Sequence, residues 1–258
     1  MAKKKKGNTW QFFQMLGKTF MFPIALLSIC GMLLGIGSAF TNESMIEAIP
    51  FLGNTYVNLF FQFMVQLGLF AFNNLGALFA MAIPLGLLKE EKEFGAFTGL
   101  VSFMAMHIGT NFYLSATDQL AAADQMSEAG QTMILGIQTY NTSVLGGIVA
   151  GLMAYALYRK LATLKIPEAL GFYSGPRLAP IAMLFIMGVF GLVAVPLFWQ
   201  PFSAFFKMLG DWIPTSGPIG YFSYAVAERV TITFGLNHLV TSTFRFTPFG
   251  GTALHNGQ

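Results

Sequence analysis

Residues 55–88 read TYVNLFFQFMVQLGLFAFNNLGALFAMAIPLGLL, about 34 residues without one Asp, Glu, Lys or Arg. An apolar run of 18 or more residues reads as a membrane-spanning helix, because only a helix satisfies its own backbone hydrogen bonds in lipid. This run is too long for one straight crossing, and Asn73 and Asn74 sit in its middle with Gly76 and Pro84 beyond. A broken helix, or a span plus an interfacial piece, is expected here. The stretch ends on Lys89, Glu90, Glu91, Lys92 and Glu93, a charged helix end.

Similar charge-free blocks lie on both sides, at 19–42 and 94–117. Charged residues make up 10% of the 258 and apolar residues 55%, whereas a soluble globular chain carries roughly 25% charged residues. So few charges cannot cover the outside of a water-soluble fold of this length. The reading is an all-α polytopic membrane protein with about five crossings, at 17–40, 55–88 (one broken span), 94–114, 142–158 and 178–199.

The ends of these spans set an orientation. Lys3 to Lys6, Lys89, Lys92, Arg159, Lys160, Lys165 and Arg177 gather at alternate ends. The loops at 41–54 and 115–141 hold Glu43, Glu47, Asp118, Asp124 and Glu128 and no Lys or Arg. The positive-inside rule puts the basic ends, the N-terminus included, in the cytoplasm. The net charge of +3 thus reflects membrane orientation, and no nucleic-acid partner is expected. A retained first span is expected here rather than a signal peptide, since the apolar stretch behind the lysine lead is too long and no clear small-residue cleavage pattern closes it. Cys30, the single cysteine, lies mid-span and reads as packing.

Beyond Trp199 the pattern changes. Residues 201–213 (PFSAFFKMLGDWI) place Phe202, Phe205, Phe206 and Leu209 at helical spacing opposite Lys207 and Asp211. That suits a separate amphipathic helix along the interface, anchored by Trp199 and Trp212. Gly147 and Gly151, four apart in the fourth span, admit the close approach of another helix, in this chain or a partner.

Chemistry concentrates in 217–245, apolar enough to enter the membrane yet containing Glu228, Arg229, Asn237 and His238. Charged groups at that depth cost roughly 2.5–3.5 kcal/mol on insertion scales, so they line a cavity or pair. Glu228 and Arg229 are neighbours and would point to different sides of a helix. Gly235 can break the helix ahead of Asn237 and His238. The outcome is either a re-entrant hairpin presenting amide and imidazole groups to an aqueous pocket, or a plain sixth span with a satisfied histidine. Elsewhere, His107 and Asn111 share one helix face; they either line a path or hydrogen-bond between helices. No metal-ligand spacing, Walker loop or nucleophile elbow occurs, and no cofactor is expected.

Three segments carry a family resemblance: residues 14–37 (QMLGKTFMFPIALLSICGMLLGIG), 170–181 (LGFYSGPRLAPI) and 227–239 (AERVTITFGLNHL). Together they resemble enzyme IIC, the membrane component of the glucose superfamily of sugar phosphotransferase permeases, and most of all its maltose/glucose-type members. The resemblance implies a homodimer in the bacterial inner membrane that carries maltose, glucose or a related glucoside inward. Phosphorylation by a separate phosphocysteine domain, IIB, is implied too. It also implies a division into a basic N-terminus (1–16), a scaffold and dimerisation domain (17–199), the interfacial helix (200–216) and the start of a substrate domain (217–258). Arg229, Asn237 and His238, with Glu228 beside them, fall on the first hairpin at the sugar site, and Arg177 falls on a segment tied to coupling or gating. The chain departs from the family in two places. It reads Gly-Leu-Asn-His where Gly-Leu-His-His is common, so Asn237 takes the first histidine's place. Pro176 stands where many relatives have Lys. The Thr-Glu-Pro sugar loop and any phosphoryl-carrying residue are missing, so a truncated chain that does not transport by itself is expected. An ion-coupled secondary transporter of a small polar solute is the competing reading.

Overall fold

The computed structural model describes residues 6–126, 129–164 and 167–233, and helices dominate it. Helix α1 spans Lys6–Thr41, α2 Glu43–Ala48, α3 Thr55–Asn73, α4 Leu75–Leu87 and α5 Lys92–Ala116. A hairpin of β1 (Gln131–Ile134) and β2 (Ile137–Tyr140) follows, then α6 (Ser143–Ala162), α7 (Leu178–Thr215) and α8 (Pro218–Thr233).

The break expected within 55–88 is at Asn74, whose backbone leaves the helical region at φ −109°, ψ 16°. The two pieces nevertheless run on in one sense along α1. Phe61 of α3 stacks on Phe40 near the end of α1 at 4.8 Å. Phe79 of α4 meets Phe20, far earlier in α1, edge-on at 5.1 Å. Helix α4 has 13 residues and rises about 20 Å, too short to cross a bilayer alone. Asn54 starts α3 by accepting a hydrogen bond from the Tyr56 amide at 3.0 Å, and Asn42 does the same for α2 through Ser44. Asparagine satisfies orphan amides in this way at helix starts.

Among the described residues, four helices are long and apolar enough to span a membrane: Trp10–Thr41, Thr55–Asn73, Val144–Ala162 and Gly175–Trp199. Helix α5 has the length, at 25 residues, and is the more polar companion at the centre. Its His107 and Thr110 are buried, and Thr110 donates to the Gly191 carbonyl of α7 at 3.0 Å. The outward faces are apolar: Met32 is 67% exposed, Phe63 58% and Phe185 68%. Water-soluble monomers rarely expose contiguous apolar surface on this scale, and lipid covers it at no cost. The chain is an all-α polytopic membrane protein.

One buried cluster joins α4, α5, α6, α7 and the hairpin through Phe103, Met106, Tyr158, Met183 and Met187. A second joins α1, α4 and α6 through Phe20, Phe79, Ile83 and Val144. The neighbour admitted by Gly147 and Gly151 is α4 of this same chain. A Cβ on Gly147 would overlap the Gly76 carbonyl, and one on Gly151 would sit 3.0 Å from Cβ of Ile83.

Two features differ from expectation. Residues 201–213 do not form a separate helix; they continue α7, which runs unbroken for 38 residues, about 57 Å. The composition change at Trp199–Pro201 signals a new environment, while prolines are tolerated within membrane helices. The polar 115–141 stretch also contains an antiparallel hairpin, pairing Gln131 with Tyr140 and Ile134 with Ile137.

Candidate functional site

The residues singled out for substrate contact begin on α8. Pro218 opens it, with its fixed φ and missing amide both suited to a first turn. Ten residues on, α8 carries Glu228 and then an exposed Arg229. Adjacent positions on a helix lie about 100° apart, so the two do not share a face. Asn237 and His238 lie outside the described residues, as does the proposed hairpin that holds them. The described part of the candidate site is therefore one helix whose sequence carries an acidic and a basic residue side by side.

Arg177 lies elsewhere, in the 3-10 turn Gly175–Arg177 that leads into α7. Its guanidinium stands 5.0 Å from the centre of the Phe172 ring and donates to the Phe172 carbonyl at 3.3 Å. The stacked arginine rigidifies an exposed loop at the end of α7 opposite α8.

His107 and Asn111 do share a face, and that face meets the hairpin. The His107 imidazole pairs through Nδ1 with the Thr139 hydroxyl at 3.1 Å, and Thr142 approaches Nε2 at 3.5 Å. Asn111 donates to the Gln138 carbonyl at 2.8 Å. A lattice of glutamines holds the hairpin base. Gln131 donates to the Gln119 carbonyl at 2.7 Å and accepts from the Ala121 amide at 3.1 Å. Gln138 donates both to Gln131 Oε1 and to the Ala121 carbonyl at 2.8 Å. These groups make a rigid cap on the bundle. At the other end, the Tyr158 hydroxyl donates to the Glu91 carboxylate at 3.0 Å, a pairing that no sequence spacing announces.

A protein-family comparison decides the affiliation: the family described as "Phosphotransferase system, EIIC" matches residues 17–258. The chain belongs to that family. It is also 40% identical over 255 residues to the PTS system maltose-specific EIICB component of Escherichia coli (strain K12). That alignment covers 98% of this chain and 48% of the relative, so the EIIC chain spans about half the length of the curated relative it matches. The charged α8, the stacked Arg177 loop and the capped bundle are thus parts of an EIIC fold.

Proposed function

We propose that this chain is the permease component of a bacterial phosphoenolpyruvate-dependent sugar phosphotransferase system. It translocates maltose, glucose or a related glucoside, coupled to phosphorylation by a IIB domain or subunit. The match to the EIIC family, with 40% identity to a maltose-specific EIICB component, carries this reading. Within it, Arg229, Asn237 and His238 contact the sugar with Glu228 beside them. Arginine, amide and imidazole groups offer the directional donors and acceptors that hydroxyls require. Arg177 acts in coupling or gating, and residues 17–199 form the scaffold of a lipid-embedded homodimer. The Lys/Arg asymmetry between loops supports an N-terminus in the cytoplasm, and long apolar helices suit the inner membrane.

Uptake of labelled maltose and glucose by cells expressing the full-length gene product tests the reading. Uptake is expected to collapse in cells lacking the general phosphocarrier proteins. Undiminished uptake there would refute it. Replacing Arg229, Asn237 or His238 with Ala should weaken sugar binding about 5-fold or more, the worth of one hydrogen bond in a desolvated site.

A further inference from the structure

At the hairpin end of the bundle, a cavity of about 370 Å³ lies between the α3–α4 break and the β-hairpin. Small-molecule sites occupy roughly 300–1,000 Å³. Asn73 and Asn74 enter this cavity from the helix break and Thr132 and Asn141 from the hairpin, while Phe72 and Phe103 supply apolar wall. Broken backbone in a membrane protein is tolerated where it is buried in protein or lines a wet cavity. Here the break and the cavity coincide.

The wall has a definite chemistry. Asn74 spends its amide donor on the Phe70 carbonyl at 2.9 Å. Among the described residues, the Asn74 oxygen, the Asn73 and Asn141 carboxamides and the Thr132 hydroxyl are left to face the cavity. Each carboxamide both donates and accepts, as does the hydroxyl. Among the described residues, no charged side chain lines the space. A charged ligand would find no counter-charge there, and burying it unpaired is costly. A neutral molecule dense in hydroxyl groups matches these donors and acceptors.

We propose that this cavity is a first-contact subsite for neutral sugar, formed by residues outside the 228–238 segment. The inference rests on the sugar-permease reading and adds a capture point on the hairpin side of the membrane.

The single cysteine supplies a clean probe, because Cys30 is buried. Thr132→Cys places one accessible thiol in the cavity of the chain in lipid nanodiscs. Its modification by a membrane-impermeant thiol reagent should be slowed several-fold by maltose or glucose, and not by sodium chloride of equal osmolality. Asn73→Ala or Asn141→Ala, added singly at these incompletely buried positions, should at least halve that protection. Circular dichroism checks that each variant keeps its helices. A labelling rate indifferent to both sugars overturns the proposal, and so does protection that survives both alanine variants undiminished. Lost protection with carrier-dependent uptake intact sinks the subsite alone. Intact protection with carrier-independent uptake sinks the permease reading alone.

Discussion

Gly147 of α6 packs directly on the carbonyl of Gly76 in α4, and a single added methyl group has nowhere to go. Lipid supplies no hydrophobic drive for helices to associate, so close backbone contact between small residues does that work. Gly147→Ala must push two backbones apart, and overpacking of this kind costs about 1–3 kcal/mol. A lowered thermal unfolding midpoint in detergent is expected. Gly35→Ala is the control. It meets open space in α1 and should be neutral or gain about 0.5–1 kcal/mol from helix propensity. Equal effects at both sites would refute this account of the α4–α6 contact.

The spacing of Gly147 and Gly151 was readable, but the partner helix was not. Four-residue periodicity says that one face is small; only the folded chain says that α4 covers it. The same limit applies to His107 and Asn111. Their shared face follows from helix geometry, while their partners, 32 and 27 residues away, belong to a hairpin invisible to the periodicity of spans. The Asn73–Asn74 break was legible because two amides in mid-run are costly unless the helix opens. The unity of α7 was not, because a proline two residues after a tryptophan looks the same whether a helix ends or merely changes surroundings. Of the candidate site, the α8 backbone and the exposed Arg229 fall within the described structure, and Asn237 and His238 do not.

The His107–Thr139 pair fastens the hairpin to the bundle from inside. Both partners are buried, so Thr139→Val removes a hydrogen bond and strands Nδ1 of the imidazole, leaving only the longer Thr142 contact at Nε2. The loss should be about 1–3 kcal/mol, read as a lower unfolding midpoint. Asn111→Leu, at the half-buried rim, should cost less. It should instead loosen β2, so that amides of 137–140 exchange hydrogen faster while those of α6 do not. Uniform acceleration across the molecule would mean that Asn111 serves global stability and not the hairpin.

Glu91 holds a left-handed backbone, φ 53°, at the start of α5, a conformation costly for a residue with a side chain. The Tyr158 hydroxyl anchors its carboxylate. Tyr158→Phe should therefore release the 88–92 turn, at a cost of about 1 kcal/mol. Trypsin cleavage at Lys89 or Lys92 should accelerate in that variant. Glu91→Gly relaxes the backbone while forfeiting the anchor, so its unfolding midpoint should fall less than that of Tyr158→Phe. A larger drop for Glu91→Gly would show that the carboxylate has other work.

The hairpin turns on Leu135 and Gly136, both at positive φ, 50° and 81°. Ile134 and Ile137 pair across them, so this is a two-residue turn of the kind that requires positive φ at both central positions. Glycine meets that requirement freely, and leucine does not. Leu135 is 44% exposed, so replacing it surrenders little burial. Leu135→Asn should relieve about 0.5–1 kcal/mol of backbone strain, since Asn visits the left-handed region readily. Leu135→Val should worsen it, because a β-branched side chain tolerates that region least. Hydrogen exchange of the Ile134 and Ile137 amides resolves the two, slowing in the Asn variant and quickening in the Val variant. Identical exchange in both would mean that leucine's contacts, and not its backbone, set the stability of the turn.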